Sequence, residues 1–111
     1  MKLPNSKNCI IDDDKILKYL FNKSNPVSFG KAYFFNKIGF NEFNYIELKE
    51  ILFEFACNNE IEKIIESLYG IKYIIIGEIV RNSKTYFIET IWIVENNTTI
   101  PRFITAYPKE V

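Results

Sequence analysis

Residues 72–107 read KYIIIGEIVRNSKTYFIETIWIVENNTTIPRFITAY. Isoleucine, threonine and aromatic side chains dominate this stretch, and two polar breaks, Arg81 to Lys84 and Glu95 to Thr98, interrupt it. β-Branched and aromatic residues suit a pleated, half-buried surface, so Lys72 to Val80, Thr85 to Val94 and Thr99 to Tyr107 are expected to be three strands of an antiparallel meander. Two-residue loops centred on Asn82-Ser83 and Asn96-Asn97, with no bulge, would set Tyr73, Ile75, Gly77, Ile79, Ile88, Thr90, Trp92, Val94, Phe103, Thr105 and Tyr107 on one face. Glu78, Glu89 and Arg102 would share the other, with Arg102 diagonally placed to neutralise Glu89. Pro101 has no ladder donor, and a bulge there would exchange the faces of the residues after it.

Upstream of the sheet the periodicity becomes helical. Asn44 to Glu47 has capping-box spacing, and Leu48, Ile51, Leu52 and Phe55 recur at core intervals before a stop near Asn58-Asn59. An earlier helix, with Ser28 as its cap, includes Lys31, Ala32, Phe34, Phe35 and Ile38, and Gly39 is placed to end it with Phe40 folding back. Asp12, Asp13 and Asp14 precede a first helix running to about Phe21, which they would cap. Residues 60–68 suit a helix or a strand, and their isoleucines favour a strand, followed by a turn through Tyr69-Gly70. The expected fold is α+β, with about three N-terminal helices packed on a C-terminal antiparallel sheet of three to four strands. At 111 residues the chain has room for one core, a single domain spanning 1–111.

Fourteen basic and fourteen acidic side chains give no net charge, so no global field holds a polyanion. The charges are segregated, however. Residues 1–40 carry seven lysines against three aspartates, and residues 41–66 carry seven glutamates against Lys49 and Lys63. The first segment offers a local basic patch to RNA, and the second offers an acidic surface to a basic protein partner. No apolar run is long enough to span a bilayer, and no continuous signal-peptide core opens the chain. The expected location is therefore the cytoplasm, or the cytoplasm of a target cell reached by a route this chain does not encode. Cys9 and Cys57 lack CxxC spacing and are read as reduced thiols. With no histidine in the chain, histidine acid–base catalysis and histidine metal ligation are excluded, and neither a cofactor nor a metal is expected.

Lys31 reads either as a solvated or structural lysine or as a phosphate contact, since it is expected in the first turn of a helix beside free backbone N–H groups. Lys15 lies at the polar boundary of the first helix. Thr90 and Thr105 read either as ordinary strand threonines or as site hydroxyls. Trp92 and Tyr107 read either as packing or as stacking platforms.

Across residues 2–108 the chain resembles a DUF6883-type bacterial family. The likeness rests on Lys2-Leu3-Pro4-Asn5, Ile11-Asp12 with Lys15-Ile16, Tyr19-Leu20, Asn25-Pro26-Val27, Gly30-Lys31-Ala32 and Phe34-Phe35 through Gly39-Phe40. Tyr69-Gly70, Gly77, Thr90-Ile91-Trp92 and Pro101 to Pro108 complete it. The order of elements also resembles, more weakly, the barnase, colicin and RelE-like ribonucleases. In colicin-D-like members a helical lysine, a strand hydroxyl and a tryptophan two residues later contribute to transfer RNA cleavage. The nearest matches here are Lys31, Thr90 and Trp92, with Arg102, Thr105 and Tyr107 as further catalytic candidates, and Lys15 and Asn25 beside Trp92 as substrate contacts. Where the family pattern has histidine before proline, this chain has Asn25, which can hydrogen-bond but not titrate near neutrality, so three readings stand: the activity is lost, Glu78 or Glu89 replaces the histidine, or the chain lies outside the enzymatic group. The resemblance implies a metal-independent ribonuclease or an RNA-binding domain. The alternative is a non-enzymatic interaction module, inhibitor- or immunity-like, using the acidic surface of residues 41–66.

Overall fold

The computed structural model describes residues 1–24, 26 and 29–109, Phe29 by its backbone alone. Helices come first and a four-stranded antiparallel sheet follows, as the change from helical to alternating periodicity predicts. Helix α1 is Phe29–Lys37 and helix α2 is Tyr45–Asn58; strands β1 Ile61–Ser67, β2 Gly70–Arg81, β3 Lys84–Glu95 and β4 Arg102–Pro108 pair in sequence order. Residues 60–68 thus resolve as an edge strand, and none of the described helices is long and apolar enough to cross a membrane.

One face of the sheet and the helices enclose the core. Tyr73, Ile75, Ile79, Ile88, Thr90, Trp92 and Phe103 meet Ile16, Leu20, Phe35, Phe40, Leu48, Leu52 and Phe55. Gly77 lies so close beneath Phe55 that a Cβ on it would come within 2.3 Å of the ring. Gly39 ends α1 with φ +103°, and the N–H of Phe40 returns to the carbonyl of Phe35 at 2.9 Å, which buries the Phe40 ring under the last turn.

The expected caps take other forms. Lys15–Leu20 is a π-helical turn, closed by the Phe21 N–H donating to the Ile16 carbonyl at 3.0 Å, and Asp14 makes no side-chain cap bond. The three aspartates are drawn to cations instead. Asp12 accepts from Arg102 at 3.2 Å, Asp13 from Lys49 at 2.7 Å, and Asp14 pairs with Lys18 at 3.5 Å. The hydrogen bond from Lys49 holds the Asp13 carboxyl below its ordinary value. Asn44 precedes α2 without capping it; its amide bridges the Asn41 N–H and the Gly39 carbonyl, and Glu47 pairs with Arg81 at 2.6 Å. The Ser28 cap lies outside the described residues.

The first hairpin is the tight one expected, with Asn82 and Ser83 both at positive φ between Arg81 and Lys84. The second connection differs. Residues 96–101 form a longer link, β4 begins at Arg102 rather than Thr99, and Pro101 gives its carbonyl to the Ile10 N–H at 2.9 Å. Trp92 consequently faces Phe103, and a bulge follows, because Ile91 pairs with Thr105 and leaves Ile104 as the extra residue. The bulge corrects the shared face. Ala106 takes the buried place opposite Thr90, while Thr105 and Tyr107 stand opposite Ile91 and Glu89 on the other side.

Candidate functional site

The bulged half of β4, the start of α1 and the π-helical turn bring Lys15, Tyr19, Lys31, Thr105 and Tyr107 together, with Glu89 of β3 and Lys109 beside them. Lys31, third residue of α1, donates from Nζ to the Thr105 hydroxyl at 3.1 Å and to the Tyr19 hydroxyl at 3.4 Å. The same ammonium lies 5.0 Å from the centre of the Tyr19 ring and 5.8 Å from that of Tyr107. Tyr107 in turn donates its phenolic O–H to Glu89, whose second oxygen is 3.5 Å from Lys109. Lys15 also places its ammonium 5.6 Å from the centre of the Tyr19 ring.

Local structure explains this convergence. On the π-helical turn, Lys15 and Tyr19 are four residues apart and meet side by side while Ile16 and Leu20 point into the core. In α1, Ala32 and Phe35 are buried, which leaves the preceding Lys31 half-buried at the border of the helix. On β4 the bulge takes Thr105 and Tyr107 off the face of Trp92 and toward that border, where Thr105 is still buried at 7% exposure and Tyr107 is half-buried.

The electrostatics are unusual for a partly desolvated cation. Such a group is normally paired with a carboxylate. Among the described residues, Lys31 is held only by two hydroxyls and two ring faces. Among the described residues, the ammonium groups of Lys31 and Lys109 stand with one carboxylate, Glu89, while Lys15 shares the border of Tyr19 with Asp12, Asp13 and Asp14.

Three predicted site residues, Thr90, Trp92 and Arg102, lie elsewhere. Thr90 and Trp92 are sealed in the core, where the Thr90 hydroxyl donates to the Ile75 carbonyl at 2.7 Å and accepts from the Trp92 indole N–H at 2.8 Å. With no exposed surface and every polar atom satisfied, they have nothing to offer a ligand. Trp92 also packs edge-on against Phe103, 5.3 Å between ring centres. Arg102 is exposed, yet it is bound by Asp12 and Glu95, each at 3.2 Å, in place of the expected Glu89. It lines a groove with Lys15, Ile93 and Ile104, and no contact joins it to Lys31. Glu78 sits near Phe55, Asn59 and Phe87, apart from the cluster. Asn25 lies outside the described residues.

Two members were not among the predicted site residues. The i, i+4 spacing from Lys15 could have pointed to Tyr19. Lys109 carries no comparable signal, because its partner Glu89 lies across a ladder whose register the bulge decides.

No curated protein matches the chain. Among solved structures, a chain of a contact-dependent growth inhibition toxin–immunity protein complex from Klebsiella pneumoniae 342 superposes with a TM-score of 0.69. The two are 22% identical over 90% of this chain and 99% of that one, a likeness of fold. The family model described as "Domain of unknown function (DUF6883)" matches residues 2–110, and the chain belongs to that family.

Proposed function

We propose that this domain is a metal-independent ribonuclease whose site is the cluster of Lys31, Thr105, Tyr107 and Glu89, with Tyr19 and Lys15 at its border. The observation that carries this reading is the half-buried ammonium of Lys31, which has hydroxyl and ring partners but no carboxylate among the described residues. A phosphodiester supplies the missing negative charge. The flanking rings of Tyr19 and Tyr107 suit the bases on either side of it.

In the proposed reaction the RNA 2′-oxygen attacks the adjacent phosphorus and the bond to the 5′-oxygen breaks. Glu89, at the end of the Tyr107 hydrogen bond, takes the 2′-hydroxyl proton, the role that histidine cannot fill in this chain. Lys31 offsets the charge that grows on the phosphorane oxygens and gives a proton to the departing 5′-oxygen. Thr105 holds the ammonium in place. The products are a 2′,3′-cyclic phosphate and a 5′-hydroxyl. The fold shared with a chain of a toxin–immunity complex is compatible with a toxin-related or an immunity-like setting.

Product chemistry tests the proposal. Purified protein incubated with total transfer RNA and ribosomal RNA is expected to yield fragments ending in a cyclic phosphate. A single 2′-deoxy nucleotide at the mapped position should abolish the cut. Cleavage that survives the 2′-deoxy substitution would refute internal attack.

A further inference from the structure

A second surface, formed by α2 and the N-terminal segment, remains outside that chemistry. Helix α2 buries Leu48, Leu52, Phe55 and Ala56, but it also carries apolar residues on its outer side. Ile46 is 48% and Phe53 37% exposed, and with Cys9 and Ile11 they line an open groove bordered by Glu50 and Glu54. An amphipathic helix needs one apolar stripe, and Ile46 and Phe53, seven positions apart on the other side, are only partly covered within the chain.

The charges around the groove are not balanced. Lys49, its one cation, is engaged by Asp13 at 2.7 Å. Glu54 is held by the Asn58 amide at 2.7 Å, with no cation among the described residues, and Glu50 makes no ion pair there. Glu50 and Glu54 are one helical turn apart, a like-charge spacing that mildly disfavours the helix. Burial, followed by the neighbouring Cys57, pushes the Cys9 thiol up to about 11, so the floor carries no thiolate at neutral pH.

We infer that this groove docks a protein segment in which an aliphatic or aromatic anchor is flanked by lysine or arginine residues one helical turn apart. The apolar floor takes the anchor, and the unpaired carboxylates of Glu50 and Glu54 take the two cations. This does not depend on the ribonuclease reading. An acidic rim repels RNA, so the occupant is a protein rather than a nucleic acid.

The probe is an amidated sixteen-residue helical peptide with leucines at i, i+4 and i+7 and lysines beside them, titrated into the full chain with amide resonances followed by NMR. Perturbations are expected to centre on Ile46, Glu50, Phe53 and Ile11. Binding should weaken at least tenfold in Glu50→Lys/Glu54→Lys, vanish in Phe53→Asp, and change less than twofold in Glu62→Lys/Glu66→Lys on the exposed strand β1. The same peptide with glutamates for lysines should bind at least tenfold more weakly. No binding, equal binding of the two peptides, or perturbations centred elsewhere would overturn the inference. A concentration-dependent dimer that Phe53→Asp abolishes would assign the groove to a second copy of the chain and overturn it as well.

Discussion

Lys31 Nζ and Thr105 Oγ1 are 3.1 Å apart, a contact spanning 74 residues of sequence that ties the first turn of α1 to the bulged half of β4. It exists because the bulge at Ile104 turns Thr105 away from the core side it would otherwise share with Trp92. The bulge therefore separates the polar border around Lys31 from the sealed core that holds Thr90 and Trp92.

Glu89 and Tyr107 should matter to turnover more than to folding. In the proposed reaction, Glu89→Gln removes the proton acceptor and is expected to slow RNA cleavage roughly 10²–10⁴-fold. Tyr107→Phe deletes the hydroxyl that bonds the carboxylate and should produce a smaller loss. Initial rates on one transfer RNA substrate, with thermal melts of each variant, separate the two effects.

Thr90 should behave in the opposite way. Thr90→Val removes the acceptor of the buried Trp92 indole N–H and the donor to the Ile75 carbonyl. An orphaned buried donor costs about 1–3 kcal/mol, so the midpoint of urea unfolding should fall accordingly. The fraction still folded should retain wild-type cleavage.

The sequence already separated the helical half from the sheet, because its apolar spacing changes near Asn59. The strand at Ile61–Ser67, the Asn82-Ser83 turn and the Gly39 stop followed from local chemistry. Which residues share the site did not. A bulge at Ile104 moved Thr105 and Tyr107 relative to Thr90 and Trp92, and no local signal marks that residue as extra. Threonine and tryptophan two apart on a strand look alike whether they face a ligand or each other. Here the indole N–H found the hydroxyl within the core. The Asp12 to Asp14 run fitted a cap, but long-range cations at Lys49 and Arg102 attracted two of its carboxylates.

Close packing at Gly77 gives a third test. Adding a methyl group would drive it into the Phe55 ring, at 2.3 Å from Cδ1, so Gly77→Ala should destabilise by about 1–3 kcal/mol through overpacking. Phe55→Leu in the same chain should recover part of that loss. A double-mutant cycle in urea would show the coupling as non-additivity.

The Cys9 thiol predicts a dependence on alkaline pH. Its folded value, raised to about 11 chiefly by burial, lies above the ordinary 9.0, so the folded state keeps the proton longer than the unfolded chain. The stability associated with it is complete below pH 9.0 and is lost as pH rises through about 11. Cys9→Ala should flatten that part of the stability profile. In the wild type, alkylation of Cys9 should be slow at neutral pH and accelerate as the thiolate forms.

The most direct measurement is single-turnover cleavage of transfer RNA by the wild type and by Lys31→Met, which keeps the side-chain stem and deletes the charge. A loss of roughly 10²–10³-fold with an unchanged melting temperature is the expected result, the scale for removing one charge-stabilising group from a phosphoryl-transfer site. Equal rates in the two proteins, or no RNA cleavage by the wild type, would contradict a catalytic role for the Lys31 cluster.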